Sequence, residues 1–404
     1  EGRFVSKKSR ERVLKQAQAS FHYETPNPES VLKEKLPKKQ FKMNQMDAYL
    51  YDKIFETEPI GFFRDAWLRF RANRASLIAL IIISLVVVLA IIGPMIRPYT
   101  FRTQHTEFGV LPPRIQGLEK LGICDGTLVY NLQKSELEDY GDSVVKILDE
   151  YIWVYRGREI EMVTVKINMY IRRGAQDHYF WFGTDNIGRD MFVRVWRGAR
   201  ISLLIGLVSV IINCFIGVVY GSISGYYGGK VDMIMQRITD TLGAIPFLVI
   251  SILFIMVLGA GIQSFILVLI LVNWIPMSRI IRAQFYRYKD YEYVMASRIM
   301  GAKDRKLIFR HILPNAIGPI ITQATLAIPG AIFAESFLSY LGLGIQAPEP
   351  SIGVLLAEGQ KVLTSSPHLT LFPAMIVSIL MLAFNIFGNG LRDAFDPRLR
   401  GTEQ

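Results

Sequence analysis

Apolar stretches of roughly 20 residues recur along this chain of 404 residues, and they limit the folds open to it. The first, ASLIALIIISLVVVLAIIGPMI, covers residues 75–96. Five more follow, at about 200–224, 238–259, 262–282, 317–343 and 370–391. A helix of about 20 residues crosses about 30 Å of hydrocarbon. The sequence therefore predicts an all-α polytopic membrane protein with six transmembrane helices, the first within 75–97 and the other five forming a core over 200–391.

The segment 98–199, between the first two blocks, is polar and has other periodicities. The apolar residues of KSELEDYGDSVVKILDEYI have the spacing of a helix. One face of that helix would carry Leu137, Tyr140, Val144, Leu148 and Ile152. EMVTVKINMYI alternates, which groups on one face of a strand Val163, Val165, Ile167, Met169 and Ile171. We therefore expect a small α+β domain inserted between the first and second transmembrane helices.

The distribution of basic residues predicts the orientation of the chain. A net charge of +11 is also compatible with a nucleic-acid partner, but the apolar blocks favour the explanation that lysine and arginine collect in cytoplasmic segments. Basic residues far outnumber acidic ones between Arg279 and His311, whereas Lys361 is the only lysine or arginine in 345–369. We therefore expect both termini and a loop over 284–316 to be cytoplasmic, and the inserted domain and 345–369 to lie outside.

Two segments flank the predicted membrane core. Residues 1–74 are rich in charge and proline and are expected to form a cytoplasmic tail. Its end, GFFRDAWLRFRANR, interleaves aromatic residues with arginines, which predicts an interfacial helix; the alternative is a helix packed on the protein's own surface. Residues 392–404 are expected to form a cytoplasmic C-terminal tail.

The sequence offers little support for an enzyme. SGYYGGKV lacks the first glycine and the final serine or threonine of a phosphate-binding loop, so ATP hydrolysis by that route is not expected. The five histidines are scattered, and neither a zinc-binding helix motif nor a G-x-S-x-G elbow is found. We expect no catalytic residue and no metal site, and Cys124 and Cys214 are not expected to pair.

Few polar residues interrupt the apolar blocks. Glu335 is the main ionisable one, and it is interpreted either as part of a transport pathway or as a hydrogen-bonded contact within the helix bundle. Amide side chains also lie in these blocks, and for four of them hydrogen bonding between helices is the favoured interpretation over ligand contact. They are Asn213, Asn273, Gln323 and Asn385.

The basic loop contains ASRIMGAKDRKLIFRHILPN, residues 296–315, whose pattern predicts two short helices with a turn at Gly301. Before the turn, one helical face carries Tyr291, Val294, Met295, Ile299 and Met300. After it, an apolar stripe carries Leu307, Ile308, His311 and Ile312. Asp304 suits a helix N-terminus, and Pro314 is expected to end the second helix. A loop resting on anionic lipid is the alternative, but the spacing of the glycine and the proline favours a docking element.

This pattern resembles the cytoplasmic loop of the membrane subunits of bacterial ABC importers, which has the motif E-A-A, three residues, glycine, nine residues and I-x-L-P. Met295, Ala296 and Ser297 occupy the E-A-A positions, Gly301 the glycine, and Leu313 and Pro314 the closing pair. Met295 and Ser297 depart from the motif. The resemblance implies an ATPase-coupling loop whose residues are Met295, Ala296, Ser297, Gly301, Ala302, Leu307, His311, Leu313 and Pro314.

Four further stretches resemble the C-type permease subunit of the oligopeptide, dipeptide and nickel group: FGTDNIGRDMFVRVWRGARISL, RITDTLGAIPFLV, FRHILPNAIGPIIT and ESFLSYLGLGIQAPEPSIGVLL. The resemblance covers about residues 75–96 and 181–400. It implies a type I ABC importer fold in a bacterial plasma membrane, a homologous B-type permease, two ATP-binding subunits and an extracytoplasmic peptide-binding protein as partners. ATP and Mg²⁺ would be used by the partner subunits, and no cofactor would be bound by this chain.

The stretch GTDNIGRD is rich in turn formers, and calcium-loop spacing is absent from it. We expect an outer-face structural element rather than a metal site, formed by Gly183, Asp185, Gly188, Arg189 and Asp190.

The implied function is ATP-driven peptide import through a pore shared with the homologous permease. A nickel-chelate permease is the alternative within the family. Outside it, the alternatives are an autonomous channel or carrier and a membrane-anchored receptor.

Overall fold

Long apolar helices make up most of residues 61–396, the part of the chain that the computed structural model describes. The helices are α1 (Phe62–Ala72), α2 (Arg74–Ile96), α3 (Met169–Arg172), α4 (Met191–Tyr227), α5 (Gly229–Gly243), α6 (Phe247–Leu258), α7 (Ile262–Val272), α8 (Ile275–Tyr288), α9 (Glu292–Ile299), α10 (Asp304–Lys306), α11 (Ile317–Leu338), α12 (Ile352–Gln360) and α13 (His368–Phe395).

Five helical stretches within residues 61–396 are long and apolar enough to cross a membrane. They are α2, α4, α7 continued by α8, the run Asp304–Leu343, and α13. The pair α5 and α6 is bent by 76° and makes a sixth if it counts as one span. The structure therefore confirms the coarser prediction of a helical protein with five or six apolar helices.

The third predicted block, 238–259, is not one straight helix. It covers the end of α5 and all of α6, and the two helices meet at Ala244, Ile245 and Pro246. Proline has no backbone N–H and disfavours helical geometry in the residue before it, so the chain bends there. The first half of the pair, α5, is amphipathic and carries Asp232, which explains why its apolar character was weak in the sequence.

Helix α4 has 37 residues and packs against α2, α8 and α11. Its glycines allow α8 to approach closely. A Cβ atom on Gly221 would lie 2.3 Å from the Ser278 carbonyl oxygen, so no larger residue fits without separating the two helices. One apolar cluster joins α4 to α2, α11 and α13, and a second joins it to α6, α7 and α11.

A three-stranded antiparallel sheet lies between α2 and α4 in the chain, in the order β1 (Thr127–Gln133), β3 (Arg158–Asn168), β2 (Val144–Tyr155). The central strand β3 buries Val163, Val165 and Ile167, as the alternating pattern predicts. They pack with Leu111, Phe180 and other apolar residues of the segment. The remaining two residues of the pattern, Met169 and Ile171, lie in α3 instead of a strand.

The helix predicted from Leu137 to Ile152 is wrong. Lys134–Ser143 is a 3-10 helix interrupted at Gly141, and β2 begins at Val144. The run VVKILDEYIWVY is β-branched and aromatic, which favours a strand once β3 is available as a partner. The sequence of β2 does not alternate between apolar and polar residues, because both faces of the strand are exposed along almost its whole length.

Helix α1 packs on the protein's own surface through one face and leaves the other open. Ala66 and Phe70 are buried, whereas Phe63 and Trp67 are exposed. Arg69 Nη1 donates to the carbonyl oxygen of Asp396, 3.0 Å away, so α1 lies beside the end of α13. The predicted tail over residues 1–60, and the C-terminal tail beyond 396, lie outside the described residues.

Candidate functional site

The Gly301 turn ends α9 with a Schellman motif. Gly301 has a φ of +86°, and its N–H donates to the Arg298 carbonyl at 3.0 Å. The Ala302 N–H donates to the Ser297 carbonyl at 3.1 Å. These two bonds satisfy carbonyl groups that a helix end leaves free, and the left-handed conformation at Gly301 favours glycine. The predicted turn is therefore present, with a defined geometry.

An apolar cluster lies beneath this turn and connects it to the long helices. Val294, Leu307 and Ile312 are fully buried. They pack in one cluster with side chains from α4 and α8, namely Tyr226, Met277, Ile281 and Phe285. A displacement of the turn would therefore be transmitted to both helices, because packed interiors do not deform continuously.

Asp304 adds a polar attachment between the turn and the end of α4. Its carboxylate accepts hydrogen bonds from the hydroxyls of Tyr226, at 2.6 Å, and Tyr227, at 3.3 Å. The Arg298 guanidinium lies 5.7 Å from the centre of the Tyr226 ring. Asp304 also occupies the first turn of α10, where a negative charge is favourable.

The face of α9 predicted as one apolar stripe is divided in the structure. Val294 points into the cluster, whereas Met295, Ile299 and Met300 are 50%, 85% and 80% exposed. Exposed basic residues lie close to these three in the chain, among them Arg298, Lys303 and Lys306. We call Met295, Ile299 and Met300 the apolar docking surface, because exposed apolar side chains grouped within a polar rim are typical of protein interfaces.

The second predicted helix does not end at Pro314. A π-helical segment, Leu307–Ile312, and a 3-10 turn, Leu313–Ala316, join α10 to α11 without a break. The π-helical turns are wider than α-helical ones and the 3-10 turn is tighter. Together they accommodate the proline, which lacks a backbone N–H, so the chain continues into the span. The predicted docking element therefore consists of one short helix, α9, and the beginning of a long one.

The remaining loop residues fall into an inner and an outer group. Ser297 is buried, and its hydroxyl donates to the Tyr293 carbonyl at 2.8 Å. Ala302, His311 and Leu313 are half-buried, whereas Ala296 and Pro314 are exposed. Burial raises the pKa of Tyr293, whose hydroxyl accepts a hydrogen bond from Asn315 Nδ2 at 3.0 Å.

One ion pair at this end of the protein was not predicted as a site. Asp232 on α5 accepts two hydrogen bonds from Arg282 on α8, both 2.6 Å long, and a third from the Tyr286 hydroxyl at 2.9 Å. The Ser224 hydroxyl on α4 also donates to Asp232. This cluster ties three helices together. Its members lie up to 62 positions apart in the chain, so no local pattern identifies them.

Glu335 is fully buried on α11 and lies between helices. Its carboxylate accepts hydrogen bonds from the hydroxyls of Ser202, on α4, and Ser339, each at 2.8 Å. The Ser202 oxygen also accepts from the backbone N–H of Ile352 at 3.3 Å, which brings α12 to the same point. Of the two interpretations, this geometry corresponds to a contact within the helix bundle.

The four membrane amides differ in their hydrogen bonding. Asn213 Nδ2 donates to the Leu269 carbonyl at 3.2 Å and joins α4 to α7. Asn385 Nδ2 donates to the Met381 carbonyl of its own helix at 2.8 Å, so the interpretation as an interhelical bond is wrong there. Among the described residues, no partner is found for the side chains of Asn273 and Gln323.

GTDNIGRD forms a tight turn against the segment after α2. Gly183 and Gly188 have φ values of +77° and +76°. A Cβ atom on either would overlap a backbone carbonyl oxygen, at 2.3 Å and 1.8 Å. Asp185 Oδ1 accepts from the backbone N–H groups of Ile187 and Arg189 at 3.0 and 2.9 Å, which fixes the turn.

A buried ion network extends from this turn into α4. Asp185 Oδ2 accepts from Arg189 Nε at 2.6 Å and from Arg194 Nη1 at 2.5 Å. Arg194 also donates to Glu358 on α12, at 2.7 and 3.2 Å. Both oxygens of Asp185 are thus engaged by N–H donors. No group of three or more His, Cys, Asp or Glu side chains arranged for a metal is found within residues 61–396.

Asp190 caps the N-terminus of α4 by accepting a hydrogen bond from the Phe192 N–H at 2.8 Å. Arg97 Nε lies 3.2 Å from its other oxygen and links α2 to the same point. Burial raises the pKa of Asp190, and the Arg97 charge opposes that rise. The five residues predicted as an outer-face element therefore form one folded turn.

Two family models match the chain. Residues 217–401 match the binding-protein-dependent transport system inner membrane component, and residues 61–113 match the N-terminal TM domain of oligopeptide transport permease C.

Similar proteins include the oligopeptide transport system permease protein OppC of Bacillus subtilis (strain 168), 38% identical, with coverage of 90% of this chain and 99% of that protein. The dipeptide transport system permease protein DppC of the same organism is 36% identical, covering 90% and 94%. The OppC protein of Escherichia coli (strain K12) is 32% identical, covering 89% and 99%. Among solved structures, a chain of the MetNI methionine ABC transporter in inward-facing conformations matches with a TM-score of 0.42 and 17% identity, covering 51% of this chain and 98% of that one.

Proposed function

Since the chain belongs to the family of C-type permease proteins of oligopeptide and dipeptide transport systems, we propose that it is the membrane-spanning translocation subunit of an ATP-driven importer for peptides. The relatives described above are named for oligopeptides and dipeptides, which does not favour the nickel-chelate alternative. The choice between oligopeptides and dipeptides depends on the binding protein and the partner permease.

The apolar docking surface carries the proposal. Met295, Ile299 and Met300 are exposed beside a glycine turn that is rigidly attached to the long helices. A separate ATP-hydrolysing subunit would cover them and would itself hold ATP and Mg²⁺. This chain would contribute shape and packing, with no catalytic residue.

The attachments of the turn suggest how nucleotide binding would move the helices. Asp304 holds the end of α4 through two tyrosine hydroxyls, and Leu307 and Ile312 pack against α8. The pair of Asp232 and Arg282 joins α5 to α8 beside them. A pull on α9 would thus shift α4, α5 and α8 together, as rigid bodies between two states of the pore.

The remaining partners follow from the proposed orientation. With the Gly301 turn and both termini in the cytoplasm, the sheet and the GTDNIGRD turn lie outside. That side would receive the peptide-binding protein. A homologous B-type permease would supply the other half of the pore, and a second ATP-binding subunit would act on it.

Substitution of Gly301 by valine tests the coupling role. At a φ of +86° a β-branched residue costs about 1–2 kcal/mol or more, and a Cβ atom there meets no other atom within 4 Å, so the effect is confined to the turn. In the reconstituted importer, we expect Gly301→Val to lower the number of peptides transported per ATP hydrolysed. Gly259→Val is the matched control, because Gly259 has a φ of +80° and equally open surroundings at another turn.

Normal coupling in Gly301→Val would refute the assignment of this loop. Met295→Glu restores the acid of the family motif at an exposed position, and we expect it to be tolerated. Peptide transport by the isolated chain without ATP would instead support an autonomous channel or carrier.

A further inference from the structure

A cavity of about 270 Å³ lies between α4, α6, α8 and α11. Three side-chain amides line it: Asn213 on α4, Gln323 on α11, and Asn273, which follows α7. The α11 side is formed by small residues at helical spacing, namely Ala327, Gly330, Ala331 and Ala334. The cavity is therefore polar at a few points and otherwise smooth, within helices that are long enough to cross a membrane.

Asn213 shows that the cavity has an unused hydrogen-bonding position. The residue is only 6% exposed, and its Nδ2 already donates to the Leu269 carbonyl. Its Oδ1 is buried and has no partner among the described residues. Leaving such an acceptor unpaired costs free energy, which a donor entering the cavity would recover.

Breaks in two helices border the same space. The span formed by α7 and α8 is interrupted at Asn273 and Trp274, and the bent pair of α5 and α6 resumes at Phe247. Asn273 and Phe247 both line the cavity. Within a membrane, non-helical backbone is tolerated where it is buried in protein or lines a water-filled cavity.

Two open clefts adjoin this cavity at its amides. A cavity of about 430 Å³ shares Asn273 and Pro276 with it, and another of about 520 Å³ shares Gln323. The latter reaches Arg287 and Arg392 near the ends of α8 and α13. The amides thus stand where successive cavities meet along the helices.

Within the proposed importer function, on which this step rests, we infer that the cavity is a contact site for the backbone of a peptide in transit. Asn213 Oδ1 accepts a backbone N–H, while Asn273 and Gln323 offer both a donor and an acceptor to neighbouring peptide groups. The small residues of α11 leave room for different side chains. Neutral amides recognise what all peptides share and hold no charge that would select one sequence.

The test uses the complete importer in vesicles, with the binding protein saturated by either trialanine or its backbone N-methylated analogue. We expect Asn213→Leu and Gln323→Leu to slow trialanine uptake by roughly three- to tenfold, the effect of one lost hydrogen bond. Asn213→Leu should also reduce the preference for trialanine over the methylated peptide. Asn385→Leu is the matched control, because this exposed amide on α13 bonds only within its own helix.

Wild-type uptake and unchanged preference in both cavity variants would overturn the inference. If the wild-type assembly hydrolyses ATP but carries no peptide, the proposed function fails instead, so the two failures are distinguishable.

A second measurement decides the case if Asn213→Leu does not assemble. In a background with Cys124→Ser and Cys214→Ala, Ala327→Cys should react with a charged methanethiosulfonate reagent, and trialanine with ATP should slow that reaction. Leu382→Cys, exposed on α13 outside the cavity, should remain unmodified. No reaction at Ala327→Cys would show that the cavity is dry and would contradict the inference.

Discussion

Arg194 compensates two carboxylates at the point where α4 enters the helix bundle. The residue is 1% exposed, and its guanidinium contacts both Asp185 and Glu358. Three positions later, Arg197 contacts Glu349 at 3.2 Å, but its side chain is 29% exposed. Burial therefore separates two arginines that look equivalent in the sequence, because water screens the second pair.

We expect Arg194→Met to destabilise the purified protein by about 3 kcal/mol, since buried Asp185 loses one of its two arginine partners and half-buried Glu358 loses its closer one. Arg197→Met should cost less, about 1 kcal/mol, because both members of its ion pair with Glu349 keep contact with water. Thermal unfolding of the two variants in detergent measures the difference. Equal losses would show that the network of Asp185, Arg194 and Glu358 has no special structural role.

At the scale of single elements, β2 is an edge strand whose free side has no partner among residues 61–396. Ile152 and Val154 are 62% and 61% exposed, and Trp153 between them is 48% exposed. A long apolar edge strand can pair with other chains, and proteins normally cover or charge such an edge. We therefore expect the inserted domain to contact the binding protein or the partner permease through this edge.

Replacing Ile152 and Val154 together by lysine tests this role of β2. We expect the double variant to lose co-purification of the binding protein or of the partner permease, because two charges would have to be buried. Leu121→Lys is the control, as Leu121 is 73% exposed in the same domain outside the sheet. Retention of both partners by the double variant would exclude the strand as an interface.

For the whole molecule, the described helices and the charge distribution together predict one orientation. The Gly301 turn lies between α8 and α11, and the loop containing Lys361 lies between α11 and α13. If α11 crosses the membrane once, these two positions are on opposite sides. The basic excess around Gly301 predicts that this turn is the cytoplasmic one.

Cysteine labelling in intact cells measures this orientation. In the background without native cysteines, we expect Lys361→Cys to react with a membrane-impermeant maleimide added outside. Lys303→Cys should react only after the cells are opened. Both positions are exposed, so access across the membrane decides the outcome. The reverse result would invert the orientation and remove the docking surface from the cytoplasm.

The sequence by itself determined the apolar helices, the turn at Gly301 and the strand β3. Each depends on residues close together in the chain: uninterrupted apolar runs, a glycine between two helical patterns, and strict alternation. The same local reasoning failed for β2, because a strand exposed on both faces has no alternation to detect. It also failed at Pro314, where π-helical and 3-10 turns carry the helix past a proline.

Only the tertiary structure decided which side of each helix faces a partner. It divided the stripe on α9 into buried Val294 and the exposed docking surface. It also paired Arg282 with Asp232 and Arg194 with Glu358, and left Asn213 Oδ1 unpaired beside a cavity. These relations join residues 50 and 164 positions apart, and packing between helices fixes them. Periodicity reports the apolar face of a helix, whereas the neighbour on that face depends on how the whole bundle assembles.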